Sequence, residues 1–172
     1  MMCPRLRIIS LLLMTTFLLP LTGCFITELT LIDPKSASVN RTFVGEWVFP
    51  GDDGFTLSVR NFDDRSYVVR MESTKETEKG DVEFYRAFTT EVKEVTFAHL
   101  QQLKVDGTLE NKWLLLRVAI TDGNELVLRH LKEAFFKDKP VTSSESLHKL
   151  ISEHVDDEAM YEETLLTGKR NE

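Results

Sequence analysis

The chain has 172 residues, 42% of them hydrophobic and 28% charged, which excludes collagen-like, coiled-coil and wholly disordered proteins. The length suits one domain. Twenty-one basic residues against 28 acidic ones give a net charge of −7, which argues against nucleic acid as a partner, because phosphate binding needs clustered Lys and Arg.

The first 24 residues carry the most specific signal. Arg5 and Arg7 form a short basic region, and no acid occurs before residue 24. Ile8 to Leu19 is an apolar run interrupted only by Ser10, Thr15 and Thr16. As a helix it would span about 18 Å, well short of the ~30 Å hydrocarbon core, so it reads as a secretory signal and not as a membrane span. Leu21-Thr22-Gly23-Cys24 follows and resembles the lipobox of bacterial lipoproteins. The resemblance implies cleavage between Gly23 and Cys24, a diacylglyceryl group on the Cys24 thiol and an acylated new N-terminus. The partner it implies is membrane lipid. Phe25 stands where the sorting pattern of Gram-negative lipoproteins places Asp for inner-membrane retention. In a cell with two membranes, the resemblance therefore implies the outer membrane, facing the periplasm. Cys3 lies inside the cleaved segment, so the remaining chain has no spare thiol for a disulfide, a metal site or catalysis. From Cys24 on, 19 basic residues face 28 acidic ones, a balance that keeps the domain in water while the acyl chains hold it at the bilayer.

The chain then divides into a signal peptide over 1–23, a lipid anchor and linker over 24–41, a β-rich domain with a C-terminal helix over 42–168, and a tail over 169–172. Within the anchor and linker, Phe25–Ile32 is apolar enough to pack against the domain and Asp33–Asn40 is a linker by composition; extended, these sixteen residues would reach roughly 50 Å at ~3.3 Å each. Phe43, Gly45, Trp47 and Phe49 share one strand face; Phe55, Leu57 and Val59 alternate with polar residues, as do Tyr67, Val69 and Met71. Pro50–Gly54 and Asn61–Asp64 have turn composition, so these strands form sequential hairpins. Residues 82–90 and 94–103 predict two more strands. Trp113 to Thr121 predicts another, with Leu114, Leu116, Val118 and Ile120 on one face, and Asp122-Gly123 turns it into Glu125–Arg129. Lys132–Lys137 predicts a short helix, and Thr142-x-x-Glu145 reads as a capping box. Leu147, Leu150, Ile151, His154 and Val155 then form the apolar face of a longer helix. Thr164–Thr167 predicts a last strand. The fold class is mainly β: an antiparallel meander forming a small barrel or curved sheet, with a C-terminal amphipathic helix.

Gly45-x-Trp47 resembles the opening motif of lipocalins, which bind small apolar ligands and also place a helix after their strands. Their Thr-Asp-x-x-Tyr motif has no counterpart, since Thr121-Asp122 is followed by Gly123-Asn124-Glu125. The layout also resembles bacterial lipoproteins with a G-x-W strand and a helix ending in His-x-Asp-Asp, here His154-Val155-Asp156-Asp157. That resemblance brings no activity with it.

Catalytic motifs are missing. The sequence has no G-x-S-x-G, H-E-x-x-H or G-x-x-x-x-G-K-[ST]. His148 and His154 lie roughly on opposite sides of the predicted helix, and His99 and His130 fall in predicted strands without acids at ligand spacing, so no metal and no cofactor are expected. The acid runs Asp52-Asp53, Asp63-Asp64, Asp156-Asp157-Glu158 and Glu162-Glu163 read as solvated turns and element ends, not as a catalytic pair across a cleft. Trp47, Phe55, Tyr67 and Trp113 either fill a small core or line an apolar ligand pocket. Three function classes follow: a lipid-anchored interaction or structural module of the cell envelope, binding an envelope protein; a lipocalin-like carrier of small apolar ligands; and an enzyme of unfamiliar site. The module is the expected reading, with no catalytic residue assigned.

Overall fold

The computed structural model describes residues 23–52, 54–78, 80–121 and 124–171. The expected signal segment up to Thr22 and the Asp122-Gly123 turn lie outside the described residues. In chain order the elements are β1 (Ile26–Thr27), β2 (Gly45–Phe49), β3 (Phe55–Asn61), β4 (Tyr67–Ser73), β5 (Val82–Val92), β6 (Val95–Leu103), β7 (Trp113–Thr121), β8 (Glu125–Leu131), α1 (Glu133–Phe136), α2 (Ser144–His154) and β9 (Tyr161–Arg170).

Strands β2 to β9 form a closed eight-stranded antiparallel barrel. The order runs β7-β6-β5-β4-β3-β2-β9-β8, and pairing of β8 with β7 closes the ring. Alternation decides which side chains point inward. Trp47, Leu57, Val59, Tyr67, Val69, Ala87, Ala98, Leu116, Val118, Leu126 and Leu128 fill the interior. The wall residues between them face out, and over β5, β6 and β7 they are also apolar: Phe88, Val92, Phe97, Trp113 and Leu115. That second apolar face needs a cover. Helix α2 supplies part of it through Leu147, Ile151 and Val155, and the chain before the barrel supplies the rest through Phe25, Leu31 and Ala37, all buried.

The connections define two rims. Residues 50–52, 54, 74–78, 80–81, 104–112 and 132–160 lie at one, here called the upper rim; 62–66, 93–94 and Asn124 lie at the lower rim. Turn chemistry is visible where it was expected. Asp63 Oδ1 accepts from the backbone N–H groups of Arg65 (2.8 Å) and Ser66 (2.7 Å), reversing β3 into β4. These bonds hold its carboxyl below the usual carboxylate range.

Five expectations need correction. The amphipathic helix is not C-terminal: α2 precedes β9, which supplies the last stave of the barrel. Its capping box is formed by Ser143 and Ser146, not by Thr142 and Glu145. Residues 169–171 are not a tail, because Lys169 and Arg170 pair with Val48 and Trp47, and the Asn171 N–H donates to the Glu46 carbonyl at 2.9 Å. Residues 24–41 are not an extended linker; they lie along the outer wall as a strap, drawn down by the second apolar face. Phe43 opens no strand, and sits instead in a short 3-10 turn (Arg41–Phe43) before β2.

Candidate functional site

The expected lipid-attachment residue lies on the barrel wall. Near the upper rim β7 and β8 part, and the strap enters the gap. Backbone bonds run from Phe25 N to Leu131 O (3.0 Å) and from Glu133 N to Gly23 O (3.1 Å), which pairs Cys24 with Lys132. Two residues later Ile26 and Thr27 pair with Leu114 and Trp113. Phe25 packs into the outer apolar layer and stacks on Phe136, with centroids 3.9 Å apart, while Cys24 is exposed and free. Partial burial, and then the Glu162 carboxylate, push the thiol pKa up. A thiol shifted in this direction is held in its protonated form.

The four aromatic candidates separate into two places. Trp47, Phe55 and Tyr67 belong to the barrel interior. Trp47 is fully buried and its indole N–H donates to the Phe43 carbonyl at 3.0 Å. The Arg170 guanidinium lies 4.2 Å from its ring and donates to the carbonyls of Val44 (2.7 Å) and Thr42 (2.8 Å). Gly45 follows from this clasp, because a Cβ there would meet Arg170 Nη1 at 2.5 Å. Tyr67 accepts from the Asn40 N–H (2.6 Å) and donates to the Asn40 carbonyl (3.1 Å), tying the strap's end to the lower rim. Phe55 is only partly buried and stacks on Phe49. Trp113 is elsewhere. It lies outside the barrel under the strap, packed edge-on against Phe88, with Ala37 and Ile32 above.

What remains open inside is small. A cavity of about 60 Å³ lies between Phe43, Tyr67, Ala87, Ala98, Leu116 and Leu126, and of the four candidates only Tyr67 borders it. It is large enough for a few methyl groups, whereas pockets for drug-sized ligands run from ~300 to 1,000 Å³. The interior's polar groups gather at the upper mouth, where Tyr85 donates to Glu83 and Gln102 Nε2 approaches Glu83 at 3.5 Å. Burial and this carboxylate drive the Tyr85 pKa up.

The histidines do not converge. His99 is fully buried on the outer wall, stacked on Phe88 at 4.4 Å, and neither ring nitrogen has a partner among the described residues. Burial lowers its pKa to about 3. His154 ends α2 with Nδ1 3.6 Å from Asp157, and Asp157 caps the following turn by accepting from Ala159 N. The His-x-Asp-Asp run is thus a helix stop. Among the described residues no group of His, Cys, Asp and Glu is placed to hold a metal, and no helix is long and apolar enough to cross a membrane. Arg117 and Arg129 face each other across β7 and β8 and both lie over the Tyr161 ring, at 5.3 and 4.9 Å, with Glu158 bridging to Arg129 at 2.6 Å.

No protein-family model, curated protein or solved structure matches the chain. Sequence reading missed Arg170, which sits in the stretch expected to fray, and the readable signal was Gly45 itself: a glycine before a strand tryptophan announces a close approach. It also missed His99 as the one buried histidine. Its neighbours Phe97, Ala98 and Leu100 make an apolar run, but they do not say which wall face is covered.

Proposed function

We propose that the protein is a lipid-anchored component of the cell envelope that acts as an interaction or structural module and carries out no catalysis of its own. The observation that carries this reading is the place of Cys24. It is exposed at the edge of the folded domain, with no spacer between it and the barrel wall, so acyl chains on its sulfur would hold the barrel directly against a bilayer. Membrane lipid is then one partner and an envelope protein the other. With Phe25 after the cysteine, the destination in a two-membrane cell is the outer membrane, on its periplasmic side. Replacing Cys24→Ala is expected to abolish incorporation of labelled fatty acid and to leave the precursor uncleaved. Undiminished labelling overturns the reading.

A second reading, a lipocalin-like carrier of small apolar ligands, rests on the Gly45-x-Trp47 strand and the apolar barrel interior, whose cavity of about 60 Å³ would have to widen to admit a ligand. The two differ in one measurement. For the chain from Gly23 on with Cys24→Ser, the module predicts that long-chain fatty acids neither shift Trp47 fluorescence nor raise the melting temperature. A carrier with ligand at a hundred times its dissociation constant would gain ~2.7 kcal/mol, or several degrees of melting temperature.

A further inference from the structure

Exposed large apolar side chains are not scattered over this surface. Phe84, Leu103, Val105 and Leu109 stand together at the upper rim, 41%, 37%, 109% and 38% exposed. Phe84 and Leu103 are direct cross-strand partners on β5 and β6, and Leu103 pairs in turn with Leu109 on the returning loop. Val105 sits at the loop's tip. Its turn is built rigidly: Lys104 N donates to Thr108 O (2.8 Å), Gly107 N to Lys104 O (2.9 Å), and Thr108 N to Asp106 Oδ1 (2.9 Å), while Gly107 adopts a φ of +81°. A valine held out into water by four backbone-directed constraints is presented, not merely uncovered. Two other large apolar side chains stand apart, Phe62 at the lower rim and Leu165 on β9.

The rim that carries this cluster also carries Cys24. The cysteine pairs with Lys132 directly after β8, which runs toward the upper rim, and Ile26 beside it is 56% exposed. Between Cys24 and Phe84 lie three interstrand steps around the wall, roughly 15 Å at ~4.8 Å each. The loop's charges are balanced, Lys104 and Lys112 against Asp106 and Glu110, with Lys104 and Glu110 3.7 Å apart. This tip therefore offers an anionic surface no net repulsion of its own, while the acidic excess of the same rim lies on the 132–160 connection, four Lys against seven Asp and Glu.

We propose that the upper rim is the membrane-facing end of the barrel, with Phe84, Leu103, Val105 and Leu109 seated in the interface of the bilayer that holds the Cys24 lipid. The proposal rests on acylation of Cys24. An anchor without a spacer can only present the domain in a narrow range of poses, and this pose buries the apolar cluster. Side chains at such a boundary sink ~5–10 Å, to the level of the headgroups and first methylenes. The opposite rim, with β2's entry and the Asp63 turn, then faces the aqueous side.

The absence of other thiols in the processed chain makes the test clean. Full-length protein carrying Val105→Cys or Asp64→Cys is expressed, acylated, purified and reconstituted into vesicles of phosphatidylethanolamine and phosphatidylglycerol, then spin-labelled at the single free thiol. Both positions are exposed, so neither change removes core packing. The label at 105 is expected to collide several-fold less with a water-soluble nickel chelate, and several-fold more with oxygen, than the label at 64. Incorporation of labelled palmitate reads the anchor separately. Acylated protein with equal chelate access at 105 and 64 overturns the seating and leaves the anchor standing; absence of acylation overturns both.

Discussion

The two tryptophans of this chain report on two different kinds of core. Trp47 lies inside the barrel, with its indole N–H bonded to Phe43 and its ring covered by Arg170, whose own donors are used on Val44 and Thr42. Trp113 lies outside, in a layer completed only by the strap and helices, and its neighbours include the unpartnered His99. Thr90 Oγ1 is likewise buried on that outer face without a partner among the described residues. The interior is closed by its own strands, and there the buried His130 Nδ1, opposite Leu116, lacks a partner among the described residues. The outer layer depends on segments brought in from both ends of the sequence and tolerates polar groups that each cost roughly 1–3 kcal/mol when left unbonded.

The contrast breaks most sharply at Trp47. Trp47→Ala is expected to cost roughly 3–5 kcal/mol, because the ring leaves a cavity and strands the Arg170 clasp. That is a large share of the ~5–15 kcal/mol that holds a domain together. Trp113→Ala should cost measurably less in urea unfolding, since the strap can settle toward the wall. Equal costs would show that the outer layer is as rigidly specified as the interior.

Next in size is a pH effect confined to the outer layer. The folded pKa of His99 is lowered to about 3 from an ordinary 6.5, by burial. Between those values the unfolded chain binds a proton that the folded chain refuses, so stability falls as pH drops below 6.5, and the loss is complete near pH 3. The slope is at most ~1.4 kcal/mol per pH unit. His99→Phe, which keeps the stack on Phe88, should raise stability at pH 7 and remove this part of the acid sensitivity. Urea midpoints for parent and variant at pH 7 and pH 4 read the difference. A variant that loses as much between the two pH values as its parent would move the sensitivity to another group.

The smallest effect is expected at the hairpin between β5 and β6. Lys93 and Glu94 turn β5 into β6 with φ of 49° and 66°, positions where L-residues are strained by ~1–2 kcal/mol each. Replacing the pair by Asn-Gly should raise the melting temperature by a few degrees, since both conformations are then native to the turn. No gain would mean that contacts of the Lys93 and Glu94 side chains offset the strain.

What was legible follows the same division. Alternation marked the inward face of β2, β3, β4 and β7 because a closed barrel makes burial a local, period-two property. The face of α2 was legible too, since Leu147, Ile151 and Val155 recur at helical spacing and all end up buried. The strap was not. Asp33-Pro34-Lys35-Ser36 is turn composition and folds as a 3-10 turn, yet the residues around it are fixed by a wall face that no local pattern announces. β5 and β6 alternate poorly for the same reason: both of their faces are apolar where the strap and α2 lie, so the period disappears. The hairpin between them lacked Gly or Asn and so gave no turn signal. At the candidate site, Cys24 was identified by a short motif, but the gap between β7 and β8 that receives it is a tertiary fact.

The clasp at the lower rim has a consequence for the order of events in folding. Arg170 reaches Thr42 across 128 residues, and β2, the first barrel strand, closes only against β9, the last. No fragment ending before Tyr161 can close the ring, so a growing or emerging chain carries two unpaired strand edges, on β2 and on β8, until its final residues are available. Such edges invite pairing with other chains, and long-range closure of this kind is slow. The last ten structured residues are thus the step that converts an open, aggregation-exposed sheet into a molecule with no free barrel edge.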